Sequence, residues 1–293
     1  YVPALNDTGN PGSFSYSVND GEGGTDTQTV NFNITAVNDP PVGVGPIPGE
    51  TNLDADAGIS VDISGFFSDV DSAPLTFSAT GLPTGLTMSS AGVITGTIDN
   101  SASQGGTLGV YTIGVTANDG ALNSNTVNFT WDINNPAPVA DPNKTLNLNE
   151  DTPISLNIAA PVDPDGDTMT ITVTGVPTDG QIQKADNSVV SNGDILTSAE
   201  LIALQYVPAL NDTGNPGSFS YSVSDGEGGM DTQTVNFNII PVNDAPVGAG
   251  PIPGETNLDA DAGISVDISS YFSDVDGPAP LSFTATGLPP GLT

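Results

Sequence analysis

The chain has 293 residues, enough for two or three domains of roughly 100 to 150 residues, and 36% of them are hydrophobic, so ordinary cores are within reach. Thirty-five acidic residues face two basic ones, Lys144 and Lys184, for a formal net charge of −33, a field that excludes nucleic acid and anionic membrane surfaces as partners. Cys and His are both absent, which removes thiol nucleophiles, histidine bases, zinc sites and disulfides.

Asp outnumbers Glu by 29 to 6 and sits beside Gly, Asn, Pro and Ser, in tight loops and not on helical patterns. Clustered loop carboxylates repel one another unless a cation lies between them, and hard oxygen donors of this kind suit calcium. The plainer alternative is a salt-tolerant acidic surface without specific sites. No apolar run approaches the roughly 20 residues of a membrane span and no signal peptide is evident; the ends read as cuts in a longer chain.

The opening phrase "YVPALNDTGNPGSFSYSV" returns letter for letter at Tyr206, an offset of 205 residues, and from Tyr1 to Asp71 eight positions differ from their partners. So long a period exceeds a single solenoid repeat and points to two different domains alternating.

In chain order, apolar and polar residues alternate as in half-buried strands through Phe14, Tyr16 and Val18, then Val30, Phe32 and Ile34. A linker, "AVNDPPV" from Ala36, follows. Strand patterns resume through Ile59, Val61 and Ile63; Leu75, Phe77 and Ala79; Tyr111, Ile113 and Val115; and Val127, Phe129 and Trp131, which place Trp131 in a core. A second linker, "DINNPAPV" from Asp132, precedes strands at Ile154, Leu156 and Ile158 and at Met169, Ile171 and Val173. In "TSAELIAL", Thr197 and Glu200 fit a capping box and predict one short helix. The third linker is "PVNDAPV" from Pro241. Proline restricts its own φ and the residue before it, so each junction is expected to be extended and stiff. Cutting there gives complete domains at 40–135 and 136–243, flanked by partial domains at 1–39 and 244–293. Short strands with frequent turn residues indicate an all-β chain of sandwiches. By alternation, Tyr16 and Tyr221 both point inward.

The acids fall at the ends of these strands. "FSDVD" supplies Asp69 and Asp71, repeated as Asp274 and Asp276; "VDPDGD" supplies Asp163, Asp165 and Asp167; "ANDG" and "SDGEGG" supply Asp119 and Asp225; "IDNS" and "ALNDTG" supply Asp99 and Asp212. Domains stacked end to end would gather the lower loops of one, the linker and the upper loops of the next into one small volume, where a shared ion would lock the hinge.

These motifs resemble the cadherin-like repeats of very large bacterial surface adhesins, alternating with the dystroglycan-type cadherin-like variant that "FFSDVDSAPLTFSATGLPTGLTMSSAGVITGTI" is similar to. The resemblance covers essentially the whole chain and implies tandem Ig/cadherin-like Greek-key β-sandwiches in an elongated array. It implies that Glu50 and Glu150 are the glutamate of the first strand, and that Asp99, Asp212 and Asp7 are the loop acid before the sixth strand. Asp132, Asn134 and Asn135, Asn38 with Asp39, and Asn243 with Asp244 match the linker. Asp69 with Asp71, Asp163 with Asp165, and Asp274 with Asp276 match the upper Asp-x-Asp; Asp119 and Asp225 match the last upper loop. Ala36 and Pro241 stand where two linkers lack a leading Asp, and the lower loop carries one acid where animal cadherins usually have two, so one or two calcium ions per junction are expected.

Other motifs carry less. "DPDGDTMTITVTG" has Gly166 at position four and Thr174 where an EF-hand needs its Glu, and no run of nonapeptide calcium repeats is present. "DADAG", at Asp54 and Asp259, reads as a solvated loop sooner than a cation site. Paired carboxylates could serve a glycosidase, yet a single Trp suggests no aromatic cleft. The sequence thus predicts non-catalytic, calcium-rigidified extender repeats of an extracellular bacterial adhesin, with neighbouring repeats as partners. The alternative is a repeat subunit of an extracellular filament or matrix assembled between like chains.

Overall fold

The computed structural model describes residues 1–3, 9, 11–71, 74–212, 214–254, 256, 265–276, 280–291 and 293. The chain divides into two compact units, Tyr1–Pro136 and Ala137–Thr293.

The first unit begins with an antiparallel hairpin, β1 (Ser13–Asn19) and β2 (Thr25–Asn31), which pairs with no other described strand. The strands that follow are β3 (Val42–Gly43), β4 (Glu50–Leu53), β5 (Ile59–Asp62), β6 (Phe67–Ser68), β7 (Thr76–Thr80), β8 (Leu86–Met88), β9 (Val93–Gly96), β10 (Val110–Asn118) and β11 (Val127–Asn134). They form a four-stranded sheet in the order β4-β11-β10-β7, a three-stranded sheet β5-β9-β8 and the short pair β3–β6. Inward positions alternate along each strand, as a sandwich requires: Ile113, Val115 and Ala117 from β10 and Phe129, Trp131 and Ile133 from β11 are buried with Ile63, Ile94 and Ile98. Trp131 is fully enclosed, and its indole N–H donates to Asn52 Oδ1 at 2.9 Å, so its one polar atom is satisfied.

The second unit carries β12 (Lys144–Asn149), β13 (Ile154–Ser155), β14 (Thr170–Gly175), β15 (Gln181–Gln183), β16 (Ile195–Leu196), β17 (Gln205–Val207), β18 (Ser218–Ser224), β19 (Met230–Ile240), β20 (Val247–Gly248) and β21 (Phe272–Ser273). A five-stranded sheet, β12-β19-β18-β14-β16, faces a three-stranded one, β13-β17-β15, while β20 and β21 pair separately. Leu156, Ile182, Leu201, Leu204, Tyr206, Phe219, Tyr221 and Val223 fill the interior, with the Tyr206 and Phe237 rings stacked at 4.1 Å. Each such apolar side chain contributes roughly 1.5–3 kcal/mol. The architecture is therefore all-β Ig-like sandwiches. One five-residue α-helix, α1 (Ser198–Ile202), occurs among the described residues, at the place the capping box predicts. Both halves of the box are formed: Glu200 N donates to Thr197 Oγ1 at 3.2 Å and Thr197 N to Glu200 Oε2 at 2.8 Å.

Several strand expectations need adjustment. Leu156 and Ile158 are buried, but strand geometry stops at Ser155 because Asn157 adopts a left-handed conformation, φ 50°, its carbonyl accepting from Lys144 Nζ at 2.6 Å. Phe32 and Ile34 lie beyond the end of β2, whereas their repeat partners Phe237 and Ile239 lie within β19. The reason is pairing: β19 runs beside β12 from Val235 to Ile240, and β2 has no such neighbour. For the same reason Tyr16 is 50% exposed although Tyr221 is 1% exposed.

Candidate metal centres

Acids converge first at the lower end of the second sandwich. Glu150 follows β12; its N–H donates to the Ile240 carbonyl at 3.1 Å, and its Oε1 accepts from Val242 N at 2.7 Å. The linker then delivers Asp244, whose N–H donates to Asp276 Oδ2, and Asp276 N donates to Asp274 Oδ1 at 3.0 Å. Glu150, Asp244 and Asp276 each offer a carboxylate oxygen within 4.8 Å of the others. Glu150 is almost fully buried and Asp244 Oδ2 has no hydrogen-bond donor. Loss of hydration, and then the charges of Asp276, Asp151, Glu150 and Asp274, push the Asp244 carboxyl above its ordinary range. A cavity of about 350 Å³ lined by Glu150, Asn211, Pro241, Asn243, Val275 and Asp276 opens here. Asn243 turns its amide onto the Asp244 carbonyl at 2.8 Å. Asp212 accepts from Gly214 N and leaves Oδ2 buried without a donor.

The first unit repeats half of this arrangement 205 residues earlier. Asp39 N donates to Asp71 Oδ2 at 2.6 Å and Asp71 N to Asp69 Oδ1 at 2.7 Å; Asp69 Oδ2 is buried without a donor. Asn38 Nδ2 reaches Asp119 Oδ2 at 2.8 Å. The backbone N–H of Leu122, the Asn38 amide and the N–H of Ala121 hold Asp119 below the usual carboxylate range. Asp7 lies outside the described residues.

A third group sits within one loop of the second unit. Asp163, Asp165 and Asp167 place oxygens within 4.8 Å of one another. Asp163 Oδ1 collects the N–H groups of Asp165, Gly166 and Asp167 at 3.1–3.2 Å, and Gly166, at φ 89°, supplies the left-handed residue that lets the loop close. Burial works to raise the Asp163 carboxyl, but hydrogen bonds from Asp165 and from these three N–H groups outweigh it, and its pKa is lowered. Asp165, with no donor on either oxygen, is pushed up to about 7 by burial and then by Asp163 and Asp167. Asp225 accepts from Glu227 N and Gly229 N in its own turn and is not part of the group.

The remaining expected residues are more dispersed. Glu50 stands opposite Trp131, midway along the sheet, where Glu150 stands past its last strand pair. Asp132 pairs with Val110 and Thr51, Asn134 gives its carbonyl to Asp54 N at 3.0 Å with Asn135 next in the chain, and Asp99 Oδ1 accepts from Ser101 N. Sequence reasoning did not place Asp167 among the ligands; its signal was its position two residues after Asp165.

Neither basic side chain serves these groups: Lys144 pairs with Asp141 and Lys184 with Glu200. Clustered hard oxygens without a neighbouring cation fit a divalent ion of the calcium type, which takes six to eight oxygens at roughly 2.3–2.6 Å.

The fold of both units is the Ig-like β-sandwich, with acids gathered in loops at the strand ends. Residues 1–33 and 134–238 match the family described as "Bacterial Ig domain", and residues 40–134 match the one described as "Putative Ig domain". Over these stretches the chain is similar to Ig domains of two kinds. Among solved structures it is similar to the extracellular cadherin domains 1–5 of protocadherin gamma B2, at 18% identity and TM-score 0.37 over 81% of this chain and 46% of that one. It is also similar to Drosophila N-cadherin EC1-4, at 17% identity and TM-score 0.32 over 83% of this chain and 62% of that one. An endo-fucoidan hydrolase of glycoside hydrolase family 107 matches at 20% identity and TM-score 0.32 over 82% of this chain and 35% of that one. The chain thus spans about a third of the hydrolase it matches and less than two thirds of either cadherin. No curated protein matches it. Among the described residues no helix is long and apolar enough to cross a membrane.

Proposed function

We propose that this chain is a stretch of extender repeats from a bacterial cell-surface or secreted adhesin, in which calcium bound at the domain junctions converts a flexible string of sandwiches into a rod. In this reading a dystroglycan-type cadherin-like sandwich at 40–135 alternates with a cadherin-like one at 136–243, the flanks 1–39 and 244–293 belong to further copies, and the work is adhesion through reach and stiffness. The observation that carries it is the convergence of Glu150, Asp244 and Asp276, one from the lower end of a sandwich, one from the linker and one from the loop beyond it. An ion held by all three ties the two sides of the linker together. Extracellular calcium modules bind with Kd of about 10⁻⁴ to 10⁻³ M, and a hundredfold excess over Kd adds about 2.7 kcal/mol per site.

The test is small-angle scattering and calorimetric titration of the chain in EGTA and across a calcium series. Calcium is expected to bind, lengthen the particle and raise its melting temperature, with Glu150→Gln plus Asp276→Asn abolishing one binding event. Unchanged shape and no heat of binding would leave the acids as solvated surface. A second reading, a filament or matrix subunit assembled between like chains, requires oligomers, which light scattering detects.

A further inference from the structure

The acid that reaches the linker of the second sandwich is set there by parallel pairing of its first and last strands. Glu150 is the residue after β12, and its N–H donates to Ile240 at the end of β19. The first sandwich has the same pairing, β4 beside β11, and the residue after β4 is Asp54, whose N–H donates to the Asn134 carbonyl at the end of β11. Asp54 therefore holds the place of Glu150. Glu50, opposite Trp131, does not.

The two acids differ in what satisfies them. Two residues beyond Ile240 is Val242, whose N–H serves Glu150; two beyond Asn134 is Pro136, which has no N–H to give. Asp54 is only 3% exposed; its Oδ1 accepts from Ser103 N at 2.8 Å, and its Oδ2 has no donor at all. A buried carboxylate oxygen without a partner is costly unless a cation compensates it, and both lysines are engaged in the other unit. The loop that bears Asp99 packs directly against this turn: Ile98 N donates to the Asp56 carbonyl at 2.9 Å, five residues before the Ser103 contact. Ser101 N donates to Asp99 Oδ1 at 3.1 Å and Ser103 N to Asp54 Oδ1 at 2.8 Å, so residues 101–103 of one loop hold both carboxylates.

We propose that Asp54 and Asp99 hold a calcium ion at the lower end of the first sandwich, with Asp54 in the role that the family resemblance gives to Glu50. This inference rests on the calcium reading above. It adds Asp54, which neither the linker motif nor the Asp-x-Asp motif contains, to a ligand set in which Asp99 is already expected.

The test uses the whole chain, stripped with EGTA and titrated with calcium in a calorimeter, with melting followed by fluorescence of Trp131, the single tryptophan, which lies in the first unit. Asp54→Asn keeps the size of the side chain and an acceptor for Ser103 while removing the charge. It is expected to bind one calcium fewer, and to melt in EGTA at or above the wild-type temperature. A merely structural Asp54 would instead lower melting equally with and without calcium. Asp99→Asn is expected to lose the same ion, and Glu50→Gln to keep it. The proposal is overturned if either Asp54→Asn or Asp99→Asn binds as many ions as the wild type, or if Glu50→Gln loses one. A wild-type chain that binds no calcium overturns the broader reading as well. Loss of an ion in Glu150→Gln plus Asp276→Asn with none lost in Asp54→Asn overturns this inference alone.

Discussion

Phe14 and Phe219 occupy the same position in the repeat, 205 residues apart, within the same six letters "SFSYSV" and the same hairpin register, yet Phe14 is 51% exposed and Phe219 is fully buried. The difference comes from the strands around them. Phe219 lies in a sheet where β14 and β12 flank the hairpin and β13, β15 and β17 cover it; among the described residues no strand flanks or covers the hairpin of Phe14.

That pair is a controlled comparison of burial. Phe219→Ala is expected to cost about 3–5 kcal/mol, and Phe14→Ala within about 0.5 kcal/mol, as at an ordinary surface position. Urea unfolding of the two variants of the same chain measures both.

Asp165 makes stability depend on pH. Its folded pKa of about 7 lies above the 3.8 of an ordinary Asp, so between roughly pH 4 and 7 the native protein keeps a proton that the unfolded chain releases. Stability is greatest below that window and declines as pH rises through it. Asp163 is shifted the other way and loses its contribution only as pH falls below 3.8. In EGTA the second unit should melt higher at pH 5 than at pH 8, and Asp165→Asn should flatten the slope; scanning calorimetry across the range decides it.

At the lower end of the second sandwich, Asp244 is crowded by Asp276, Asp151, Glu150 and Asp274. Without calcium, Asp244→Asn is expected to raise the melting temperature of the second unit by relieving that repulsion, and with millimolar calcium to lower it. A reversal of sign between the two conditions is the outcome to look for; the same sign in both would place the residue outside any metal site.

The capping box of α1 offers a local test. Thr197→Ala removes the acceptor for Glu200 N and is expected to cost about 1 kcal/mol, while Thr197→Ser retains most of it. Hydrogen bonds from Lys184 first and from Thr197 hold the Glu200 carboxyl down to about 2, so its contribution is present above 4.5 and is lost as pH falls from there through about 2. Denaturant titration of the two Thr197 variants at neutral pH separates the cap from the ion pair.

The alternation of Val127, Phe129 and Trp131 and the spacing of Thr197 and Glu200 were legible in the sequence because strand period and capping are local properties. The junction acids were legible as types in turns. What could not be read was level along a strand. Glu50 and Glu150 both look like first-strand glutamates, but their heights are fixed by pairing with β11 and β19, a contact across some ninety residues that no local pattern encodes. Asp54 was passed over for the same reason. The exposure of Tyr16 depends on neighbours that its own letters do not contain.

The side-by-side parallel run of β12 with β19, and of β4 with β11, has one more consequence. In the second sandwich β12 and β19 pair over six residues, Lys144–Asn149 against Val235–Ile240; in the first, β4 and β11 pair over four. Tension applied to the two ends of either domain pulls these strands along their length in opposite directions, so the ladder is loaded in shear and its hydrogen bonds must break together and not one after another. Of the two, the shorter ladder is the one that yields first.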